Sequence, residues 1–133
     1  MKKKLCVFLA CAVALSCLLT GCAGGGSSEE RPIKVGLLYS LSGVTSVSEK
    51  QLYNGTKLAI DEINRNGGIH GRKIETVFAD YASDPAKAAD KARKLILDDK
   101  VTAIIGTCSS SARKAVKPVV EKNHSLLVYP QSY

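Results

Sequence analysis

The chain has no run of basic residues beyond its first four positions, and this absence bears on its partners. Its 133 residues include 19 Lys+Arg against 12 Asp+Glu, a formal net charge of +7. Three of the lysines precede residue 22, so residues 22–133 carry a net charge of only +4. Charges of both signs are spread along that part, whereas nucleic-acid-binding proteins gather theirs in a basic patch. The composition therefore predicts no nucleic-acid partner.

Histidine and cysteine are too few and too scattered to indicate a metal centre or a nucleophilic active site. His70 and His124 stand alone, and neither forms a motif with Cys108. Metal sites and Cys–His pairs need such residues at defined spacings. No Gly-x-Gly-x-x-Gly follows the first strand-like segment, so the usual sign of a nucleotide-dependent enzyme is missing. We expect a protein without catalytic residues, metal or cofactor.

The first 22 residues indicate an export signal that ends in a cysteine. A positive start, Lys2-Lys3-Lys4, precedes an apolar stretch at 5–19 that is too short for a permanent membrane span. The run Leu19-Thr20-Gly21-Cys22 resembles the lipobox of bacterial lipoproteins. That resemblance implies removal of residues 1–21, a lipid on Cys22, and a location on the extracytoplasmic face of the cell membrane. A plain secretory signal or a short membrane anchor is the alternative.

Residues 22–32 form the second part of the chain. Gly24-Gly25-Gly26-Ser27-Ser28 has little apolar surface to bury, which is typical of a flexible linker. With a lipid on Cys22, only Cys108 is left as a free thiol, so no intramolecular disulfide is expected. The fold must then depend on a hydrophobic core formed by residues 33–133.

Strand-like and helix-like segments alternate from residue 33 onward. Ser48 and Gln51 match a capping box, and Asp84 followed by Pro85 matches a capped helix start. Pro118 is expected to kink its helix. Strands are predicted at 33–38, 73–79, 101–105 and 126–129, and helices at 48–66, 85–98 and from Ser109–Ser111 to about 122.

The periodicity also predicts which helix faces are buried. The apolar positions of the first helix are Leu52, Ala59, Ile60 and Ile63, and those of the second are Ala88, Ala92, Leu95 and Ile96. Strands that alternate with helices at this spacing indicate an α/β fold with a parallel, doubly wound, Rossmann-like sheet. Ligands of such sheets bind at the carboxyl ends of the strands. That rule selects residues 39–47, 106–111 and 130–133.

Four segments together resemble the first part of the type I periplasmic solute-binding proteins. They are IKVGLLYSLSG at 33–43, NGTKLAIDEINRNGGIHGRKIE at 54–75, SDPAKAADKARKLI at 83–96 and VTAIIGTCSSSARKAVKPVVE at 101–121. The group concerned serves ABC importers of branched-chain amino acids, urea and short-chain amides. The resemblance implies a small polar ligand, a membrane permease as partner, and no enzymatic activity.

Six residues fall where the strand-end rule or the family motif places ligand contacts. Ser109, Ser110 and Ser111 open the third helix, where hydroxyls and free backbone N–H groups can meet a carboxylate or an amide oxygen. These serines can equally serve only as helix caps. Tyr129 and Gln131 follow the fourth strand, and Ser42 belongs to the first loop.

Two branches of the group compete for the ligand. The run ARKAVKPVVEKNHSLLVYPQSY at 112–133 resembles the urea and short-chain amide branch, which we take as the main expectation. Cys108-Ser109-Ser110-Ser111 resembles the branched-chain amino-acid branch, which is the alternative. A ligand-sensing receptor module without transport is an alternative of another class.

Length is the last expectation. Members of the family have two lobes that clamp the ligand, whereas residues 33–133 correspond to an incomplete N-terminal lobe. We therefore expect a fragment that, in isolation, has low stability and binds ligand weakly or not at all.

Overall fold

Strand and helix alternate along the folded part of the chain, as the periodicity predicts. A computed structural model describes residues 31–131, so residues 1–30, which include the predicted signal, Cys22 and most of the linker, lie outside the described residues. The elements are β1 (Ile33–Tyr39), α1 (Ser46–Arg65), β2 (Ile74–Asp80), α2 (Pro85–Leu97), β3 (Ala103–Gly106), α3 (Ser110–Lys122) and β4 (Leu127–Val128).

All four strands belong to one parallel sheet in the order β2-β1-β3-β4. β1 lies inside the sheet, and its Leu37, Leu38 and Tyr39 are fully buried. A strand covered on both faces is expected to be apolar throughout, as β1 is. The predicted α/β class with a parallel doubly wound sheet is confirmed.

The helices cover the two faces unequally. α2 and α3 lie on one face, where Leu38 and Ile104 pack with Ala88, Leu95 and Val116. α1 covers the other face, where Ile60 is the buried helix residue that packs on Val35, Leu37 and Tyr39 of β1. Because β1 is followed by α1 and β3 by α3, the chain leaves these neighbouring strands toward opposite faces.

Two details predicted for α1 are wrong. The helix begins at Ser46 after Thr45, so Ser48 and Gln51 do not form its capping box. Ala59 and Ile63 are exposed, although the periodicity placed them on the buried face. The reason is that α1 is the one described helix on its face of the sheet, so no helix beside it covers its flanks.

One prediction nearer the C-terminal end also needs correction. β4 is two residues long instead of four, since its ladder with β3 consists of Ile104 with Leu127 and Ile105 with Val128. α3 continues through Pro118, so the proline does not end the helix, and the expected kink stays a prediction. Pro118 is exposed, so the carbonyl that loses its partner there lies on the solvent side of the helix.

The longest described helix is α1, with 20 residues. Within residues 31–131 no helix combines the length and apolar character needed to cross a bilayer.

Candidate ligand-binding site

The candidate site lies at the carboxyl edge of the sheet, where β1 and β3 are neighbours. Ser40 follows β1, and Thr107 follows β3. Since α1 and α3 leave these strands toward opposite faces, the edge between them is the switch point at which ligands of open α/β sheets bind.

A serine-rich segment opens α3 at this edge. Ser109 is the N-cap, and its hydroxyl accepts a 3.2 Å hydrogen bond from the N–H of Ala112. Its hydroxyl also lies 3.1 Å from that of Ser111. Ser109 and Ser110 are half-buried, whereas Ser111 is exposed. The predicted capping role of Ser109 is thus present, and α3 begins directly after the loop that follows β3.

Tyr129 and Gln131 approach the same segment through Cys108. The Tyr129 hydroxyl donates a 2.6 Å hydrogen bond to the carbonyl of Cys108. The Cys108 thiol donates to Oε1 of Gln131 at 3.7 Å. The Arg113 guanidinium lies 4.9 Å from the centre of the Tyr129 ring, within cation–π range. Residues predicted from two separate parts of the chain therefore meet around the beginning of α3.

The Ser42 side chain pairs on the β2 side of the edge, while its carbonyl accepts a 2.7 Å hydrogen bond from the Ser40 hydroxyl. Ser42 is exposed, and its hydroxyl donates a 2.9 Å hydrogen bond to Asp80 at the end of β2. Burial raises the pKa of Asp80, but donation from the Ala82 N–H at 2.8 Å, from Ser42 and from the Leu41 N–H outweighs it and lowers that pKa overall. Ser42 is therefore tied to the β2 side of the edge, away from the partners of Tyr129 and Gln131.

A buried carboxylate joins the loops at the switch point. Glu49 of α1 is fully buried, and its Oε2 accepts a 2.7 Å hydrogen bond from the N–H of Ser40. Its Oε1 accepts one from the Thr45 hydroxyl at 2.7 Å and another from the Tyr81 hydroxyl. The Tyr81 hydroxyl in turn accepts from the N–H of Cys108 at 3.4 Å. Glu49 thus connects the loops after β1, β2 and β3.

Backbone strain marks the turn that leads into the serine segment. Gly106 has φ +145°, and a Cβ there would lie 2.0 Å from the carbonyl oxygen of Leu38. Thr107 has φ 61°, an unusual value for a β-branched residue, and it is fully buried. Its hydroxyl has no hydrogen-bond partner within residues 31–131. Strained residues of this kind concentrate at binding sites.

Sequence reasoning missed Glu49, Tyr81 and Thr107. Nothing in the local pattern around Glu49 distinguishes it from a solvated helix residue, because its partners come from two loops, those after β1 and β2. A signal was available for Thr107, since a residue between a strand end and a capped helix often has an unusual backbone conformation.

The chemistry of the site suits binding. Burial, with the negative charge of Glu49, raises the pKa of the Cys108 thiol, so the thiolate that a nucleophile requires is disfavoured. Within residues 31–131 no three His, Cys, Asp or Glu side chains lie close enough to share a metal ion.

A known family model matches this part of the chain. The model is described as the periplasmic binding protein domain, and it matches residues 33–133. The chain belongs to the periplasmic binding protein family. The family match and the relatives described next confirm the expectation of a type I periplasmic binding protein domain over residues 33–133.

Relatives of this periplasmic binding protein have been named for their ligands. The Leu/Ile/Val-binding protein BraC3 of Rhizobium johnstonii is 34% identical over 98 residues, which cover 74% of this chain and 26% of the relative. The Leu/Ile/Val-binding protein of Escherichia coli K12 is 31% identical over 116 residues, covering 85% of this chain and 31% of that protein.

A solved structure agrees with them. The branched-chain amino acid transporter substrate-binding protein LivJ of Streptococcus pneumoniae, in complex with isoleucine, is 34% identical with a TM-score of 0.74. The match covers 77% of this chain and 30% of LivJ. The present chain of the periplasmic binding protein family therefore spans about a quarter to a third of the length of these relatives.

Proposed function

We propose that this chain supplies ligand contacts of an extracytoplasmic substrate-binding protein of an ABC importer, and that its ligand is a branched-chain amino acid. The observation that carries the proposal is the position of Ser109–Ser111. These serines open a 13-residue helix at the switch point, beside Tyr129 and Gln131.

The beginning of α3 suits a carboxylate. The N–H groups of a first helical turn have no partner within the helix, and the helix dipole places partial positive charge there. No acidic residue lies in the first turn of α3 to compete for that position. The α-carboxylate of an amino acid is an anion of the size that such a helix end binds.

The comparisons favour an amino acid over urea. Both curated relatives described above are named for leucine, isoleucine and valine, and LivJ was solved with isoleucine. We therefore propose a branched-chain amino acid as the ligand, which was the alternative in the sequence analysis, and not urea or a short amide. The relatives are named as binding proteins, in keeping with a role without catalysis.

One structural observation favours a short amide as the ligand. Gln131 carries both a donor and an acceptor beside Cys108, and a primary amide could pair with both. A neutral ligand of this kind would gain little from the helix dipole, since that interaction requires charge.

A titration followed by nuclear magnetic resonance distinguishes these ligands. The amide signals of Ser109, Ser110 and Ser111 in the ¹⁵N-labelled chain are recorded with L-isoleucine, L-isoleucinamide, urea and acetamide. We expect isoleucine to shift these signals and isoleucinamide, which lacks the carboxylate, to shift them at least ~10-fold less at equal concentration, as loss of a charge-assisted hydrogen bond implies.

Other outcomes assign the site differently. Shifts with acetamide and urea but not with isoleucine would establish the amide reading. Because an incomplete lobe is expected to bind weakly, each titration is carried to the solubility limit of the ligand, and shifts with none of the four ligands even there would refute ligand contact by this segment.

We further propose that Cys22 carries a lipid that holds the protein at the membrane surface. The support is the order of basic start, apolar stretch and Leu19-Thr20-Gly21-Cys22. Metabolic labelling with a radioactive fatty acid should mark the chain and its Cys108→Ser variant, and should not mark Cys22→Ser. Equal labelling of Cys22→Ser would contradict the anchor.

A further inference from the structure

We propose that Glu49 and Tyr81 are positioning residues for the ligand site, acting through a buried relay that orients the peptide of Cys108 and, with it, the serines that open α3. None of these contacts was expected from the sequence. The inference rests on the proposed function, because it concerns the presentation of the same serine segment.

The relay has a fixed direction. Tyr81 has one hydroxyl proton, and it donates that proton to Oε1 of Glu49. The hydroxyl oxygen then has only acceptor capacity left, and it accepts from the N–H of Cys108 at 3.4 Å. The carboxylate thus makes the Tyr81 hydroxyl a hydrogen-bond acceptor toward the loop after β3.

The fixed direction is maintained by the surroundings. Glu49 and Tyr81 are both fully buried, so water does not compete for the carboxylate or the hydroxyl. Burial and the hydrogen bond to Glu49 raise the pKa of Tyr81, which keeps the hydroxyl protonated. Ser40 and Thr45 donate to the same carboxylate and fix its orientation.

The Cys108 residue is held from both sides. Its N–H is bound by Tyr81, and its carbonyl accepts from the Tyr129 hydroxyl at 2.6 Å. The carbonyl of Cys108 belongs to the peptide that carries the N–H of Ser109, the N-cap of α3. Two tyrosines from different strand ends therefore fix the orientation of the peptide groups on either side of Cys108. These peptide groups lead directly into the first turn of α3, whose N–H groups are proposed to bind the ligand.

Such a relay also connects the two sides of the candidate cleft. Glu49 binds the loop after β1 through Ser40, and the loop after β3 through Tyr81. A change in the loop after β1 reaches the loop after β3 through the carboxylate and then the Tyr81 hydroxyl, which binds the N–H of Cys108. Positioning by Glu49 therefore differs from simple burial of an α1 side chain.

The test compares two buried tyrosines. Tyr81→Phe removes the relay hydroxyl and keeps the ring. Tyr39→Phe is the matched control, because Tyr39 is equally buried and its hydroxyl pairs with Thr56 on the opposite face of the sheet at 2.8 Å. Hydrogen exchange of the Cys108 and Ala112 amides, which donate to the hydroxyls of Tyr81 and Ser109, is measured in the full chain without ligand, and the isoleucine titration is repeated.

We expect Tyr81→Phe to accelerate exchange at Cys108, which loses its acceptor, and at Ala112, which depends on the Ser109 cap, roughly three- to tenfold, and to weaken any isoleucine binding by a similar factor. Tyr39→Phe should leave both unchanged after correction for global stability. In the Tyr81→Phe background, Glu49→Gln should add less to the exchange rate than it does alone, since the path to Cys108 is already broken.

The result can overturn the relay independently of the proposed function. Wild-type exchange at Cys108 and Ala112 in Tyr81→Phe, or the same acceleration in Tyr39→Phe, would refute positioning by Tyr81. If isoleucine has no effect on the wild-type chain, the proposed function fails, and the exchange comparison still decides whether the relay exists.

Discussion

The hydroxyl of Tyr129 lies 2.6 Å from the carbonyl oxygen of Cys108 and donates a hydrogen bond to it. This bond joins the end of the short strand β4 to the residue that precedes the cap of α3. β4 has only two ladder residues, so its backbone holds it weakly against β3. The Tyr129 side chain adds a second connection between the end of β4 and the loop that follows β3. Arg113 stacks on the same ring and reinforces it.

Tyr129→Phe should therefore destabilise the chain. The ring and its contact with Arg113 remain, so the loss reflects the hydroxyl, and we expect the free energy of unfolding to fall by about 1 kcal/mol. Guanidinium chloride denaturation measures it. Tyr53→Phe, whose ring makes edge contacts with Tyr39 and Phe78, serves as control and should change stability by less than ~0.5 kcal/mol. Equal losses in the two variants would contradict a specific role of the Tyr129 hydroxyl.

Gly106→Ala should be among the most damaging single substitutions. A Cβ at Gly106 would lie 2.0 Å from the carbonyl oxygen of Leu38, and φ +145° is unfavourable for alanine. We expect a loss of more than ~3 kcal/mol, measured as a fall in thermal midpoint. Gly55→Ala in α1 is the matched control, since nothing lies within 4 Å of its added Cβ, and it should gain ~0.5–1 kcal/mol. A stable Gly106→Ala variant would show that β1 and β3 separate easily.

The stability of the chain should depend on Asp80 at low pH. Its folded-state pKa is lowered, so the carboxylate contributes stability above its ordinary pKa near 4 and loses that contribution as the pH falls through the folded-state value. Asp80→Asn should be less stable than wild type at pH 7, and the difference should narrow toward pH 3. Ser42→Ala, which removes one donor, should give an intermediate profile. A difference that widens on acidification would contradict the sign of the shift.

Thr107→Val tests the unpaired hydroxyl. Valine has nearly the same shape and removes a buried polar group without a partner in the described residues, so stability should be unchanged or rise by up to ~1 kcal/mol. Thr56→Val is the control, because its hydroxyl binds the Leu52 carbonyl at 2.9 Å and the Tyr39 hydroxyl. That variant should lose about 1 kcal/mol, and chemical denaturation distinguishes the two. A marked loss in Thr107→Val would indicate that the hydroxyl has a partner such as water.

The parallel sheet could be predicted because its evidence is local. β1 and β3 are largely apolar runs, and Asp84 does cap α2 by accepting from the N–H groups of Ala86 and Lys87. The beginning of α1 could not be predicted in the same way. The capping-box rule considers contacts within one turn, whereas Glu49 is used by Ser40 and by Tyr81, which lies 32 residues away.

The candidate site also has one part that could be predicted from the sequence and one part that could not. The serines that open α3 follow from strand order and helix capping, which the sequence displays. The orientation of the Cys108 peptide depends on Tyr81 and Tyr129, two hydroxyls brought from distant strand ends by the fold. No spacing rule relates these residues, so their role becomes visible only in three dimensions.

The unequal covering of the sheet has a consequence for how the domain opens. On one face, α2 and α3 pack against each other as well as against the strands, whereas α1 buries one residue, Ile60, in the opposite core cluster. Less apolar area holds α1, so partial unfolding should release it first. Glu49 would leave with the helix, and the beginning of α3 would lose its orientation while the sheet beneath it remained intact.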